Sequence, residues 1–516
     1  MAESRVKKTI LNAKVNLAFY FIIILLSFFS RKIFLNNLGA NFIGFTGTLS
    51  NLLGFLNLAE LGVASAIGYV LYQPLFDGDK DKINQIISVF GYLYRIVGLA
   101  ILIAGIILSI FLPYIYSDTT INIGIIYFAF YSYLISSLIG YFANYKQTLL
   151  AADQRNYVVT AFFQGSSIIR ICIQMFVAYK TKSYFLWLLI ELCFGIIYSI
   201  ILNWKINKVY PWLKTNVSAG KKLVKKYPEI LRYTKQLFVH KIAGFIQFQT
   251  NPFIIYAFTS LSMVAAYGNY MMIINNLLNF VNKFLGSTEA AIGNLIASKD
   301  KAKIFSVFKE LTSLRYYIVG FEVFGVFTFS SIFIRLWVGE EYILSDLTVL
   351  IIIGYIFLMQ TRGTNDQFIY GYGLFNDIWA AFTEMSISLG GAITLGYFYG
   401  LPGVISGGVI GMTIIVYIWK PYYLFTRGFE MHLWQYWKII LKLNSLILIS
   451  VYLSVRVKEI LFSTPETNFG DFAISVFVSS IIYNMISFAL FFSLDKGTRI
   501  FVNRLHYQIF KKKTTY

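Results

Sequence analysis

The chain is poor in the residues that soluble enzymes lean on. Its 516 residues include two cysteines, Cys172 and Cys193, both inside apolar runs. That excludes a disulfide framework, and the pair reads as small packing residues. The three histidines, His240, His432 and His506, sit at the ends of apolar runs, so no metal site inside a membrane suggests itself and no cofactor is expected. Charge is scarce as well, at 13% of residues where soluble domains carry roughly a quarter. No stretch between apolar runs is long enough for a soluble domain, the longest being 205–236. An enzyme is therefore not expected. The "DGD" at 77–79 resembles a metal-binding DxD, but it lies in a short turn with no nucleotide-binding domain around it.

What is abundant is oil. Hydrophobic residues make up 57% of the chain and the mean hydropathy is +0.65. A membrane span needs about 20 largely apolar residues. Fourteen such runs follow one another from 12–35 to 469–494, among them 41–72, 121–150, 237–259 and 263–296. The composition thus predicts an all-α polytopic membrane protein of about 14 transmembrane helices. An even count puts both termini on one side. That side collects 32 of the 44 Lys and Arg residues and the other only 7. Such an excess marks the cytoplasmic face. The net charge of +20 is then topology and attraction to anionic membrane lipids, and nucleic acid is not an expected partner.

The chain also repeats itself. "NLLGFLN" at 51–57 returns as "NLLNFVN" at 276–282, "AIG" at 66–68 as 291–293, and "DKDKI" at 79–83 as "DKAKI" at 300–304. Span two therefore matches span eight. An even number of spans per repeat gives a parallel repeat, with a substrate site between halves. The expected organisation is an N-lobe over 1–204, a basic cytoplasmic linker over 205–236 and a C-lobe over 237–425. Residues 426–516 supply two further spans and a basic tail. The two pseudo-symmetric lobes hold six helices each.

The run 30–83, "SRKIFLNNLGANFIGFTGTLSNLLGFLNLAELGVASAIGYVLYQPLFDGDKDKI", resembles the N-terminal signature of the polysaccharide-transporter (Wzx-type) branch of the multidrug/oligosaccharidyl-lipid/polysaccharide exporter superfamily. That resemblance implies two six-helix lobes around a central cavity that opens alternately to each side. It also implies flipping of undecaprenyl-pyrophosphate-linked oligosaccharide repeat units across a bacterial plasma membrane, for capsular or exopolysaccharide synthesis. Polysaccharide polymerase or assembly proteins would be further partners. A lipid II flippase resembles the chain in architecture, although its family places arginines well inside helix one, where this chain has only Arg31 near one end. A cation-coupled multidrug exporter typically carries an acid in its first helix, and 12–35 has none.

Charges inside apolar runs cost about 2.5–3.5 kcal/mol each and need a reason. The cations are Arg95, Lys146, Arg170, Lys283 and Arg362. With Arg31 they suit an anionic pyrophosphate, for which guanidinium is a matched fork. The sugars would use amides. Asn275, Asn279 and Asn282 follow one face of span eight with Gly286 and Glu289, and Asn57 lies on the matching stripe of span two. Gln360 and Asn365 belong to "QTRGTNDQ" at 360–367, where Gly363 is expected to allow local unwinding. Glu60, Glu289, Asp366 and Glu384 are the candidates for coupling or gating, with Asp366 expected opposite Lys146.

Overall fold

The computed structural model describes residues 5–56, 77–117, 119–153, 155–231, 250–286, 299–374, 376–463 and 466–511. It also describes isolated positions within 63–75 and at 234, 292, 295 and 296. Among these the regular structure is helical throughout, and eleven helices are long and apolar enough to cross a membrane. The chain divides into two compact units, Met1–Ala265 and Ala266–Tyr516.

In the first unit, α1 (Arg5–Leu56) is two helical arms that meet at a kink, the first carrying the expected span 12–35 and the second the start of 41–72. Its apolar part, Ala18–Gly54, has 37 residues, nearly twice the ~20 that one span needs. The chain bends at Gly39, whose φ of 83° only glycine adopts without strain. The remaining helices are α2 (Lys80–Ile115), α3 (Ile123–Phe142), the short α4 (Gln147–Ala152), α5 (Asn156–Thr181) and α6 (Tyr184–Val209). The expected span 121–150 is thus two helices with a break at 143–146. The basic 205–231 segment is not a free linker. It is tied to α2 by Asn84 Oδ1 accepting from the Lys214 amide (2.9 Å) and by Tyr227 donating to Gln85 (2.8 Å).

The second unit contains the greater part of α7 (Leu261–Gly286), then α8 (Lys301–Trp337), α9 (Asp346–Gly371) and α10 (Ile378–Tyr399). Next comes α11 (Leu401–Met412), which runs on in wide π-turns to Phe429. The last three are α12 (Trp434–Leu461), α13 (Phe469–Leu494) and α14 (Lys496–Lys511). The start of α7 is held in the first unit, where Arg31 Nη2 donates to Ala265 O (3.0 Å) and Ser262 to Asn41 (2.7 Å). Counting the two arms of α1 as one stretch, with 237–259 and 263–296 lying partly outside the described residues, accounts for eleven helices against fourteen runs.

The repeat reappears as equivalent helix starts. Asp79 caps α2 by accepting from the Lys82 amide (2.9 Å), and Asp300 caps α8 by accepting from the Lys303 amide (3.0 Å). Both helices are long, 36 and 37 residues. In membrane helices packing replaces the hydrophobic effect as the cohesive force. The second unit accordingly interlocks the edges of Phe308, Phe368, Phe425 and Phe429. Outward faces stay oily, with Ile107, Ile110, Leu448 and Phe477 exposed. Cys172 and Cys193 are free and exposed, not packed inside as expected; an outer face that meets lipid tolerates them.

Candidate functional site

α9 concentrates the polar groups of the second unit. Arg362 Nε donates to Asp366 Oδ2 (2.9 Å), one helical turn away, and its Nη1 lies 3.8 Å from Glu384 Oε1 of α10. One guanidinium is thus shared by two carboxylates. Asp366, expected opposite Lys146, has Arg362 of its own helix as partner. A second network lies deeper. Arg315 of α8, only 3% exposed, donates from Nε to Thr364 Oγ1 (3.0 Å) and from Nη1 to Gln360 O (3.1 Å). Gln360 passes the chain on by donating to Glu322 Oε1 (3.1 Å).

This network corrects one expectation. Gly363 does not unwind α9, which is continuous from Asp346 to Gly371. A Cβ there would stand 2.3 Å from Arg315 Nη1, so the glycine makes room for the guanidinium. Gln360 and Asn365 are buried, at 0% and 5% exposure, and are committed within the lobe. Asn365 donates to Tyr436 OH of α12 (3.3 Å). The Gln360 and Asn365 amide nitrogens thus tie α9 to α8 and α12, while Gln360 Oε1 has no hydrogen-bond partner among the described residues. Arg315 was legible: it lies four residues into an apolar stretch that continues to Trp337.

The asparagines of α7 behave differently. Asn275, Asn279 and Asn282 are all exposed, while Ile274, Leu278, Val281 and Leu285 are buried on the other face. The side chain of Lys283, and Asn57, Glu60 and Glu289 altogether, lie outside the described residues. In the first unit Arg95 is exposed, with no ion pair among the described residues. Lys146, expected mid-span, stands in the break before α4. Arg170 pairs with Glu191 of α6. Arg31 is partly buried against the start of α7. Among the described residues no group of three or more His, Cys, Asp and Glu is placed to hold a metal ion.

The chain is thus all-helical among its described residues, long and apolar enough to cross a membrane many times, with paired charges inside its spans. The fold matches that of the lipid II flippase MurJ in an inward closed conformation, at a TM-score of 0.65 over 94% of this chain and 99% of that one, with 15% sequence identity. It also matches a point mutant of the Vibrio cholerae MATE transporter VcmN, at 0.52 over 82% and 99%, with 14% identity. Both belong to the multidrug/oligosaccharidyl-lipid/polysaccharide exporter superfamily. No protein-family model matches the sequence, and no curated protein does.

Proposed function

We propose that the chain flips lipid-linked oligosaccharide repeat units from the cytoplasmic to the outer leaflet of a bacterial plasma membrane by alternating access, with both termini cytoplasmic. The observation that carries a lipid-linked cargo is coverage. The likeness to a lipid flippase takes in 94% of the chain, and that to a MATE transporter 82%. The choice of an oligosaccharide rests on the signature at 30–83. The same coverage favours lipid II as the second reading. A cation-coupled drug exporter is disfavoured, because α1 contains neither Asp nor Glu. Polysaccharide assembly proteins would take the flipped product.

The test is flipping by purified protein in vesicles, with fluorescent undecaprenyl-pyrophosphate oligosaccharide and lipid II compared side by side. The expected result is faster loss of leaflet asymmetry for the oligosaccharide. Preference for lipid II would install the second reading. Efflux of cationic dyes with neither lipid moved would sink both.

A further inference from the structure

Helices α3 to α6 of the first unit line a half-open cavity of about 490 Å³. Small side chains make the space: Ser136 and Gly140 on α3, Ser166 and Ser167 on α5, and Gly195 on α6. Such residues ordinarily let membrane helices close on one another. Here they line an opening of the size that ligand sites have. A Cβ added to Gly195 would come 3.1 Å from Ser136 Oγ, so a larger residue there intrudes on this wall.

The polar lining is held in place from behind. Asn144 Oδ1 accepts from Ser199 (2.7 Å) and Asn203 (2.8 Å), and Tyr198 donates to Gln147 Oε1 (3.3 Å). These bonds orient two amides at the break between α3 and α4. Arg170 pairs with Glu191, whose second oxygen accepts from Gln174 Nε2 (3.0 Å), and Gln174 is 1% exposed. Capacity is nevertheless left over. The buried Nε of Arg170 and the buried Oγ of Ser136 have no hydrogen-bond partner among the described residues. Buried polar atoms are seldom left so. Both belong to residues that line the cavity, though the two atoms themselves lie behind its surface.

The chemistry of the lining narrows what that is. The Arg170 guanidinium is neutralised by its own carboxylate, so a pyrophosphate finds no net positive charge here. A bare hydrocarbon would leave the amides, the ion pair and the serines unmet. Phe163, Phe194 and Tyr198 offer apolar faces, and Arg170, Glu191 and Gln147 offer planar donors and acceptors. A pyranose presents both: C–H faces above and below, hydroxyls around the edge. We propose that this cavity is a sugar-binding site, holding an uncharged pyranose or disaccharide by its hydroxyls. In resting on a glycan cargo the proposal depends on the function put forward above.

Its test does not require flipping. Purified protein in detergent is titrated with a panel of neutral, phosphate-free di- and trisaccharides, binding being read by calorimetry. Wild type binding at least one member, with affinity lowered at least tenfold in Gly195→Phe, which fills the cavity, supports the site. Should Gly195→Phe fail to fold, Tyr198→Phe and Ser136→Ala decide by the same criterion. No binding by wild type to any member, or unchanged binding in the folded variants, overturns it. Flipping of lipid-linked glycan without sugar binding would sink the cavity and leave the cargo reading standing. Sugar binding lost in the variants, without flipping, would do the reverse.

Discussion

At the scale of single residues, several intramembrane charges are matched within their own unit. Arg170 has Glu191, Arg362 has Asp366 and Glu384, and Arg315 has a ring of dipoles leading to Glu322. The sequence identified most of these residues but not their pairing, because one helix does not reveal which neighbour's carboxylate will face it. Gly363 is the sharpest case. As a glycine beside polar residues it reads as a place to unwind, whereas its role is set by a guanidinium that arrives from another helix. Gly363→Ala should displace Arg315 and break its bonds to Gln360 and Thr364, a loss of about 1–3 kcal/mol. Thermal unfolding in detergent checks this, with a double-mutant cycle. Against an Arg315→Met background the same alanine should cost little, and equal costs in both backgrounds would mean that the clash is not the cause.

At the scale of elements, helix existence was legible and the breaks between helices were less so. Apolar runs fix where a span lies, but how sharply two runs part, as the arms of α1 do at Gly39 and as 121–150 does at 143–146, depends on a few residues. The hairpin of α10 and α11 was legible in principle, since Gly403, Gly407 and Gly411 recur every four residues, a spacing that lets membrane helices approach closely. A Cβ at Gly407 would lie 2.1 Å from the Ala392 backbone nitrogen, whereas one at Gly408 would meet nothing within 4 Å. Gly407→Ala should therefore destabilise by about 3 kcal/mol. Gly408→Ala should be neutral, or stabilise by up to about 1 kcal/mol through helix propensity. Similar unfolding midpoints for the two variants would contradict the packing.

The junction of α13 and α14 gives a pH-dependent counterpart. Burial pushes the Asp495 carboxyl up, but Lys442 and the Thr498 amide outweigh it and hold the group below its ordinary value. A depressed folded value means stability that is full above the ordinary carboxylate range and lost as pH falls through the folded value. Asp495→Asn should lower stability by about 1–3 kcal/mol at pH 7 and flatten the dependence between about pH 5 and pH 3. Unfolding midpoints across that range measure it, and a parallel curve for the variant would exclude this latch.

At the scale of the whole molecule, the repeat was the most informative feature of the sequence, and the paired caps Asp79 and Asp300 are its clearest structural trace. The site was less legible, because sequence places cations in spans without showing how much of their charge is already matched. That matching bears on energetics. Arg170 and Arg362 each meet their acids within their own unit and offer little uncompensated positive charge to travel with a cargo. On the proposed function, those two guanidiniums would do little to cancel the charge of an anionic headgroup as it crosses. Moving one charge outward down an inside-negative potential is favoured by about 2.3 kcal/mol per 100 mV. On the proposed function, vesicles given an inside-negative potential by potassium and valinomycin should accumulate the pyrophosphate-linked probe in the outer leaflet. Collapsing the gradient should restore an even distribution. A distribution indifferent to potential but responsive to a Na⁺ or H⁺ gradient would show that a co-transported cation cancels the headgroup's charge, and Asp366 and Glu384 would then be the first carboxylates to replace.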